Sequence, residues 1–147
     1  MVSTYEIVKE FKLKYPGTLC WRIKKHADLV DKNLNPDEKV IFAFAGQNNN
    51  SHRQIFDTAV LALTTERLIV AQDRILSGYK VTSITPDLYN DMEIEAGIIW
   101  GTVTIDTLKE TIYFSNLSKR SLSEIQITIS SFMINAKEKL CNQVKNS

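Results

Sequence analysis

The chain has 147 residues, of which 44% are hydrophobic and 24% charged, so it fits one globular domain and not a disordered segment. Its net charge of +1 disfavours a protein that binds nucleic acid through the phosphate backbone. Cys20 and Cys141 are too few for a disulfide scaffold, which indicates free thiols in a reducing compartment. There is no signal-peptide pattern at the start and no apolar run of the roughly 20 residues that span a bilayer, so we expect a cytoplasmic protein.

Residues 1–36 predict a helical hairpin that packs on the rest of the domain. Ser3 and Glu6 have the spacing of a capping box, and an apolar residue at every fourth position then marks a helix that ends at Pro16-Gly17. Neither this helix nor the next one is apolar all round, so each must pack one face against something else. The second helical stripe precedes Asn35-Pro36, and its members are Leu19, Ile23, Ala27, Val30 and Leu34.

The middle of the chain predicts about seven short antiparallel strands. The central hairpin consists of residues 57–64 and 67–72, which are rich in aliphatic and β-branched side chains and flank a short polar turn. The polar run 47–54 predicts an exposed loop before this hairpin. Period-two alternation marks five further strands, near residues 38–46, 79–84, 92–96, 102–106 and 111–114.

The last segment predicts the clearest helix of the chain. Ser121 and Glu124 repeat the capping-box spacing at its start. Burial of its apolar face contributes roughly 10 kcal/mol gross, at about 1.5–3 kcal/mol for each large side chain, so this helix should close an opening in the sheet. The residues of that face step by three and four, and they are Leu122, Ile125, Ile129, Phe132, Met133, Ala136 and Leu140.

These elements together predict an α+β fold. Residues 37–147 would form a barrel of about seven antiparallel strands, and the C-terminal amphipathic helix would cap it. The N-terminal helical hairpin would lie outside the barrel as an extension of the same domain. Alternating strands of this length at near-hairpin spacing are typical of a small barrel or of two packed sheets.

Three motifs follow one another in the strand region. In chain order they are Leu63-Thr64-Thr65-Glu66-Arg67-Leu68-Ile69, Ser83-Ile84-Thr85-Pro86-Asp87-Leu88 and Gly97-Ile98-Ile99-Trp100-Gly101-Thr102-Val103-Thr104-Ile105. Over about residues 37–140 they resemble the bacterial PH-like domains of the YokE-like group, a branch of the pleckstrin-homology superfold. Thr65-Glu66 stands where that group usually has Asn-Lys or Asp-Lys, and Leu88 stands where it more often has isoleucine. These departures indicate a divergent member.

The resemblance implies a PH-like barrel with no catalytic residue and no cofactor. It implies that Arg67, at a hairpin end, bonds turn carbonyls or pairs with a nearby carboxylate. It also implies that Gly97 and Gly101 permit unusual backbone angles or a close approach of strands. Because these roles are architectural, the resemblance assigns no ligand.

The polar residues do not combine into a catalytic or metal site in the sequence. His26 follows Lys24 and Lys25 in the predicted second helix, which favours a solvent-facing position. His52 has no second histidine or cysteine near it, which disfavours metal binding. Three carboxylates have the period-two spacing of the wet face of a sheet rather than the arrangement of an acid–base pair, and they are Asp91, Glu93 and Glu95.

We therefore predict a non-enzymatic PH-like module that binds another protein or a copy of itself. The exposed contact would be the apolar turn formed by Ile98, Ile99 and Trp100, together with free sheet edges. A small enzyme would require the fold to bring His26 or His52 against a carboxylate in a pocket.

The alternative function is peripheral binding of anionic lipid headgroups through Lys39, His52 and Arg53, at the first strand and the loop after it. The cationic motif is incomplete, because Ile55 stands at its third position. At about 1 kcal/mol per cation near an anionic surface, this set supports at most a weak membrane contact.

Overall fold

A computed structural model of the chain describes residues 2–18, 20–49 and 57–147. In these ranges the helices are α1 (Thr4–Lys14), α2 (Ile23–Lys32) and α3 (Leu122–Lys145), and the 3-10 turn Lys119–Ser121 precedes α3. The strands are β1 (Val40–Gln47), β2 (Thr58–Thr64), β3 (Leu68–Arg74), β4 (Gly78–Ile84), β5 (Tyr89–Ala96), β6 (Trp100–Thr107) and β7 (Thr111–Ser118). The predicted α+β class and the order of elements are confirmed.

The seven strands form one antiparallel sheet in the order β4-β3-β2-β1-β7-β6-β5. Its two halves, β1–β4 and β5–β7, meet where β1 pairs with β7, and the registered pair there is Gln47 with Ser115. The sheet curls into a half-barrel, and β4 and β5 are its two end strands. Each half therefore has one free edge among the described residues.

The inner face of the sheet encloses the larger apolar core, which α3 closes as predicted. Phe44 of β1 and Phe114 of β7 meet edge to face at 5.3 Å between ring centroids. Leu122, Ile125, Ile129 and Met133 of α3 are buried against them, and Phe132 is half-buried. The prediction was wrong for Leu140, which is 41% exposed because the last turns of α3 extend beyond the sheet.

Gly101 lets the start of α3 approach the sheet closely. A Cβ atom at this position would clash with the Leu122 side chain, so no larger residue fits between β6 and α3. The close neighbour is a helix side chain, so the close approach of strands predicted for Gly101 is not what the structure shows. A Cβ atom at Gly97 would lie 3.0 Å from the carbonyl oxygen of Trp100, which is also tighter than ordinary contact.

α1 and α2 cover the outer face of β1, β2 and β3. Their own buried residues include Val8, Ala27 and Val30. The outer face below them is small, because four of its side chains are alanines and the others are valine and isoleucine; they are Ala43, Ala45, Val60, Ala62, Ile69 and Ala71. Small side chains let the helix backbones come near the sheet, so the predicted helical hairpin forms a second apolar core there.

The helix ends agree with the sequence prediction at one capping box and not at the other. Ser3 N–H donates to Glu6 Oε2 at 3.0 Å and Glu6 N–H donates to Ser3 Oγ at 3.3 Å, so the first box is confirmed. The second is wrong: Ser121 has helical dihedral angles and its hydroxyl donates to the Ser118 carbonyl at 2.7 Å. The preceding 3-10 turn already continues into α3, so Ser121 cannot adopt the extended conformation of a cap.

An ion pair joins the outer helical layer to the β2–β3 hairpin. Arg67 Nε and Nη2 donate to the two carboxylate oxygens of Glu38 at 2.9 and 3.0 Å, and Nη2 also donates to the Asn33 carbonyl at 2.8 Å. The predicted architectural role of Arg67 is thereby confirmed. Burial raises the pKa of Glu38, but hydrogen bonds from Arg67 and the Asn35 N–H outweigh it and lower the pKa to about 2.

Candidate functional site

The clearest candidate for a binding site is the free edge of β5. Gly97 N–H donates to the Trp100 carbonyl at 2.8 Å, so these residues form the hydrogen-bonded pair that closes the β5–β6 hairpin. Bonded and non-bonded pairs alternate between antiparallel strands. Ala96 and Ile94, which pair with Gly101 and Val103, therefore direct their N–H and C=O groups away from β6. Among the described strands none lies on that side, so an extended segment could add there.

The turn after β5 is apolar and exposed. The exposed fraction of Ile98 is 96% and that of Ile99 is 68%, so both side chains project into solvent beside the free edge. Trp100 is the first residue of β6, is half-buried, and donates its indole N–H to the Gly17 carbonyl at 3.1 Å. It ties the segment between α1 and α2 to β6. The partner contact predicted for the three residues stays a prediction, and Ile98 and Ile99 supply its exposed part.

The outer face of β5 is acidic. Asp91, Glu93 and Glu95 are exposed along the strand, as expected for the wet face of a sheet. On the neighbouring strand the Asp106 carboxylate accepts a hydrogen bond from the Asn90 side chain at 2.7 Å. Charged edge strands protect proteins against indiscriminate strand pairing. Any strand that adds to β5 must therefore offset this negative charge.

The predicted lipid-binding residues are not brought together by the described part of the chain. His52 and Arg53 lie outside the described residues. Lys39 is exposed, and its backbone N–H donates to Thr65 Oγ1 at 3.2 Å, beside the β2–β3 turn. In the sequence, Lys39 precedes β1 and residues 52 and 53 follow it, and the lipid site formed by the three residues stays a prediction.

A polar cavity of about 250 Å³ opens near that end of the half-barrel. Two cations and two carboxylates line it, namely Arg74, Lys80, Asp57 and Glu110. Lys80 forms a 3.8 Å ion pair with Glu110, and the Gln72 amide donates to Asp57. Since the charges balance, this cavity does not attract an anion by charge alone.

His26 is buried, which corrects the prediction of a solvent-facing side chain. Its Nδ1 accepts the Asp73 N–H at 2.8 Å, so the neutral ring carries its proton on Nε2, 3.0 Å from Thr58 Oγ1. The Thr58 hydroxyl donates to the Trp21 carbonyl at 2.8 Å. Both ring nitrogens are therefore used in the contact between α2 and the sheet. The sequence signal was the position of His26 three residues after Ile23, at the margin of the apolar stripe.

The charges around His26 keep it neutral. Burial lowers its pKa below the ordinary 6.5, and the positive charge of Arg22 lowers it further, against the opposing charge of Asp73. Arg22 and Asp73 also form an ion pair with each other. A neutral ring with both nitrogens bonded has no lone pair to offer a substrate or metal, so we assign His26 to structure.

The described residues form neither a cluster of metal ligands nor a helix that could span a membrane. Within residues 2–18, 20–49 and 57–147, no group of three or more His, Cys, Asp or Glu side chains is placed to hold a metal ion. In the same part of the chain, no helix has both the length and the apolar character that crossing a membrane requires.

The geometry is that of a curled seven-stranded sheet closed by one helix, and a family model agrees with it. The model described as "Bacterial PH domain" matches residues 34–131, which is about two thirds of the chain. The chain belongs to the bacterial PH domain family. The motif order in the sequence predicted this membership, and the match includes the β2–β3 hairpin, both later motifs and the first part of α3.

Among solved structures, a pleckstrin homology domain supports the fold and nothing finer. A pleckstrin homology domain from Shewanella amazonensis aligns with a TM-score of 0.50 and 14% identity, over 85% of this chain and 98% of its own. A DUF1696 family protein with a pleckstrin-homology domain from Shewanella loihica aligns with a TM-score of 0.48 and 14% identity, over 77% of this chain and 91% of its own. No curated protein matches the chain.

Proposed function

We propose that this bacterial PH domain is a non-enzymatic module that binds another protein or a copy of itself. The contact is the free edge of β5 together with the exposed turn residues Ile98 and Ile99. The observation that carries the proposal is their adjacency: open backbone groups at Ile94 and Ala96 lead directly into an exposed apolar turn.

The two parts of this surface contribute differently to binding. Each hydrogen bond to an added strand contributes about 0.5–1.5 kcal/mol net, and the strand supplies register more than affinity. Burial of Ile98 and Ile99 contributes about 1.5–3 kcal/mol for each side chain. The carboxylates of Glu93 and Glu95 select a partner strand that carries Lys or Arg at alternate positions, because such a strand places its cations over them.

A non-enzymatic role is supported by the polar side chains, because they bond to other protein groups or lie open to solvent. His26 has both ring nitrogens bonded to protein groups. Glu38 is held in the ion pair with Arg67, and the β5 carboxylates of Asp91 and Glu93 line a polar hollow of about 330 Å³ that is open to solvent. These side chains contribute to stability and surface charge.

The test removes one outward N–H of β5. Ala96→Pro deletes the N–H that an added strand would use, whereas Ala96→Ser keeps it, and position 96 is exposed in either case. Protein captured from a bacterial lysate on the immobilised domain is compared between the two variants and with Ile98→Asp/Ile99→Asp. We expect capture to fall for Ala96→Pro and for the double variant, and to persist for Ala96→Ser. Equal capture by the wild type and all three variants would refute the β5 site.

The lipid alternative is tested with vesicles. We expect co-sedimentation to be equally low with neutral phosphatidylcholine vesicles and with vesicles that contain about 30% phosphatidylserine, because each cation near an anionic surface contributes only about 1 kcal/mol. Strong binding to the anionic vesicles alone, abolished by Lys39→Ala or Arg53→Ala, would favour the lipid function instead.

A further inference from the structure

The last three turns of α3 project beyond the barrel. A helix of 24 residues is about 36 Å long, and its last buried residue is Met133. Every residue after Lys137 is exposed. A helix end without tertiary contacts is only marginally stable in water, so residues 138–145 gain little from the packing that holds the first half of α3.

The apolar face of α3 nevertheless continues past the barrel. Met133 is followed at helical spacing by Ala136, Leu140 and Val144, which lie on the same side of the helix as the buried core residues. Leu140 is 41% exposed and Val144 is 74% exposed. The core face of the helix is thus longer than the sheet that covers it.

A groove lies beside this exposed stretch. It has a volume of about 630 Å³, and its helix side is apolar, lined by Phe132, Ala136 and Leu140. The opposite rim consists of the β2–β3 and β4–β5 turns, and it presents the carboxylates of Glu66 and Asp87. The end of α3 carries cations on the turns that follow, at Lys139 and Lys145.

We infer that the occupant of this groove is the α3 end of a second copy of the chain, paired antiparallel about a two-fold axis at Leu140. In this register Leu140 meets its own counterpart, and Ala136 of one copy lies opposite Val144 of the other, so a small side chain faces a larger one. The stripe is therefore self-complementary, as an isologous interface requires.

Charge favours the same arrangement. The antiparallel register brings the Lys145 end of each helix to the acidic rim, Glu66 and Asp87, of the other copy. It also sets the two helix dipoles in opposite directions, with the negative end of each helix towards the more N-terminal turns of its partner. Ile134 lies about 120° round the helix from Leu140, beside Lys137 and Cys141 and away from this rim, so it serves as an internal control.

The pairing is tested by light scattering of the full chain. For the wild type we expect a mass of twice 16.8 kDa at high protein concentration. For Leu140→Asp/Val144→Asp we expect 16.8 kDa, because the dimer Kd should rise by more than about tenfold. Ile134→Asp, about 120° round the same helix from Leu140 and 54% exposed, should keep the wild-type mass. All three positions are exposed, so circular dichroism should show the same fold in every variant.

Cross-linking tests the register. In a Cys141→Ser background, Leu140→Cys should give a disulfide-linked dimer under mild oxidation, because the two Cα atoms face each other at the axis. Ile134→Cys in the same background should give none. The pairing would be overturned by a wild-type chain that is monomeric at about 0.5 mM, a concentration at which even a weak homodimer forms. A dimer unaffected by Leu140→Asp/Val144→Asp would overturn it as well.

This inference rests on the proposed function in one respect, namely that the module binds protein. The β5 edge and the α3 end are tested by different variants, so either proposal can be refuted without the other. Ala96→Pro at β5 should leave the α3 dimer unchanged. If Ala96→Pro alone converts a dimer into a monomer, the copies pair through β5 and the α3 interface is wrong. If capture at β5 is absent while Leu140→Asp/Val144→Asp still dissociates a dimer, the β5 proposal fails and the α3 pairing stands.

Discussion

The two faces of the curled sheet are covered by helices in different ways. On the inner face, α3 packs large side chains such as Ile125 and Ile129 against aromatic and aliphatic residues of the strands. On the outer face, α1 and α2 rest on a surface rich in alanine, and polar contacts position them. Glu38 pairs with Arg67, and His26 connects α2 to β2 and β3.

The difference shows what each layer depends on. A large apolar core tolerates small shifts of its helix, since its attraction is non-directional and scales with buried area. A layer that packs on small side chains gains less from buried area, so its position depends on directional bonds to the sheet, such as the Asp73 N–H to His26 Nδ1 at 2.8 Å. We therefore expect the inner core to set global stability and the outer layer to open locally.

The largest effect is expected at Phe114 in the inner core. Phe114→Ala removes a fully buried ring that contacts Phe44, and we expect the free energy of unfolding to fall by about 3–5 kcal/mol in urea titrations. Ile127→Ala, on the exposed side of α3 at 65% exposure, should change it by less than about 0.5 kcal/mol. Similar losses for both variants would contradict the assigned core.

The next effect is expected where the two layers join. Arg67→Ala leaves the buried carboxylate of Glu38 without its partner and should lower the free energy of unfolding by about 3 kcal/mol. Lys24→Ala breaks only the exposed pair with Asp28 and should cost less than about 0.5 kcal/mol. Hydrogen exchange of Arg67→Ala should show faster exchange in α2 than in α3.

The same pair gives a pH dependence with a definite sign. The pKa of Glu38 is about 2 in the folded protein against 4.5 in the ordinary state, so the stabilisation is complete above pH 4.5 and is lost as the pH falls towards 2. The difference in unfolding free energy between wild type and Arg67→Ala should therefore narrow over this window. A constant difference from pH 5 to pH 2 would speak against the pair.

A smaller effect is expected at His26 in the outer layer. Its pKa is lowered in the folded protein, so the unfolded chain takes up a proton first as the pH falls below 6.5. Stability should then fall by at most about 1.4 kcal/mol per pH unit until the folded pKa is reached.

His26 is checked by NMR titration and by stability measured against pH. The ring resonances of His26 should titrate below 6.5 while α2 exchanges faster at low pH, and His26→Gln should lose the dependence in that window. A His26 that titrates at or above 6.5, as an exposed histidine does, would contradict the buried neutral ring.

The smallest effect is expected at the free end of the outer layer. Ser3→Ala removes one arm of the capping box of α1 and should cost about 1 kcal/mol, which thermal unfolding can measure. Ser3→Asp keeps an acceptor for the Glu6 N–H and should recover most of the loss. If Ser3→Ala lowered the free energy of unfolding more than Arg67→Ala does, the outer layer would depend on α1 more than on the ion pair between Arg67 and Glu38.

Much of the fold could be predicted because it follows from the periodicity of apolar side chains within single helices and strands. Phe42 and Phe44 alternate with Ala43 and Ala45, and this alternation assigns large side chains to one face of β1 and small ones to the other. The stripe of α3 was visible for the same reason, and Arg67 was assigned to architecture through the motif around it. The candidate site was predicted in part, since Ile98 and Ile99 are exposed, whereas Trp100 bonds to Gly17 across a separation that no local pattern shows.

The sequence by itself determined the class of each segment, the succession of the strands along the chain and the amphipathic face of α3, because side-chain periodicity follows from local backbone geometry. Only the tertiary structure decided that His26 is buried, that α1 and α2 lie on the outer face, and that Leu140 lies beyond the barrel. Each of these depends on which distant surface a helix meets and where that surface ends. Such contacts join residues far apart in the chain, and periodicity carries no information about their distance.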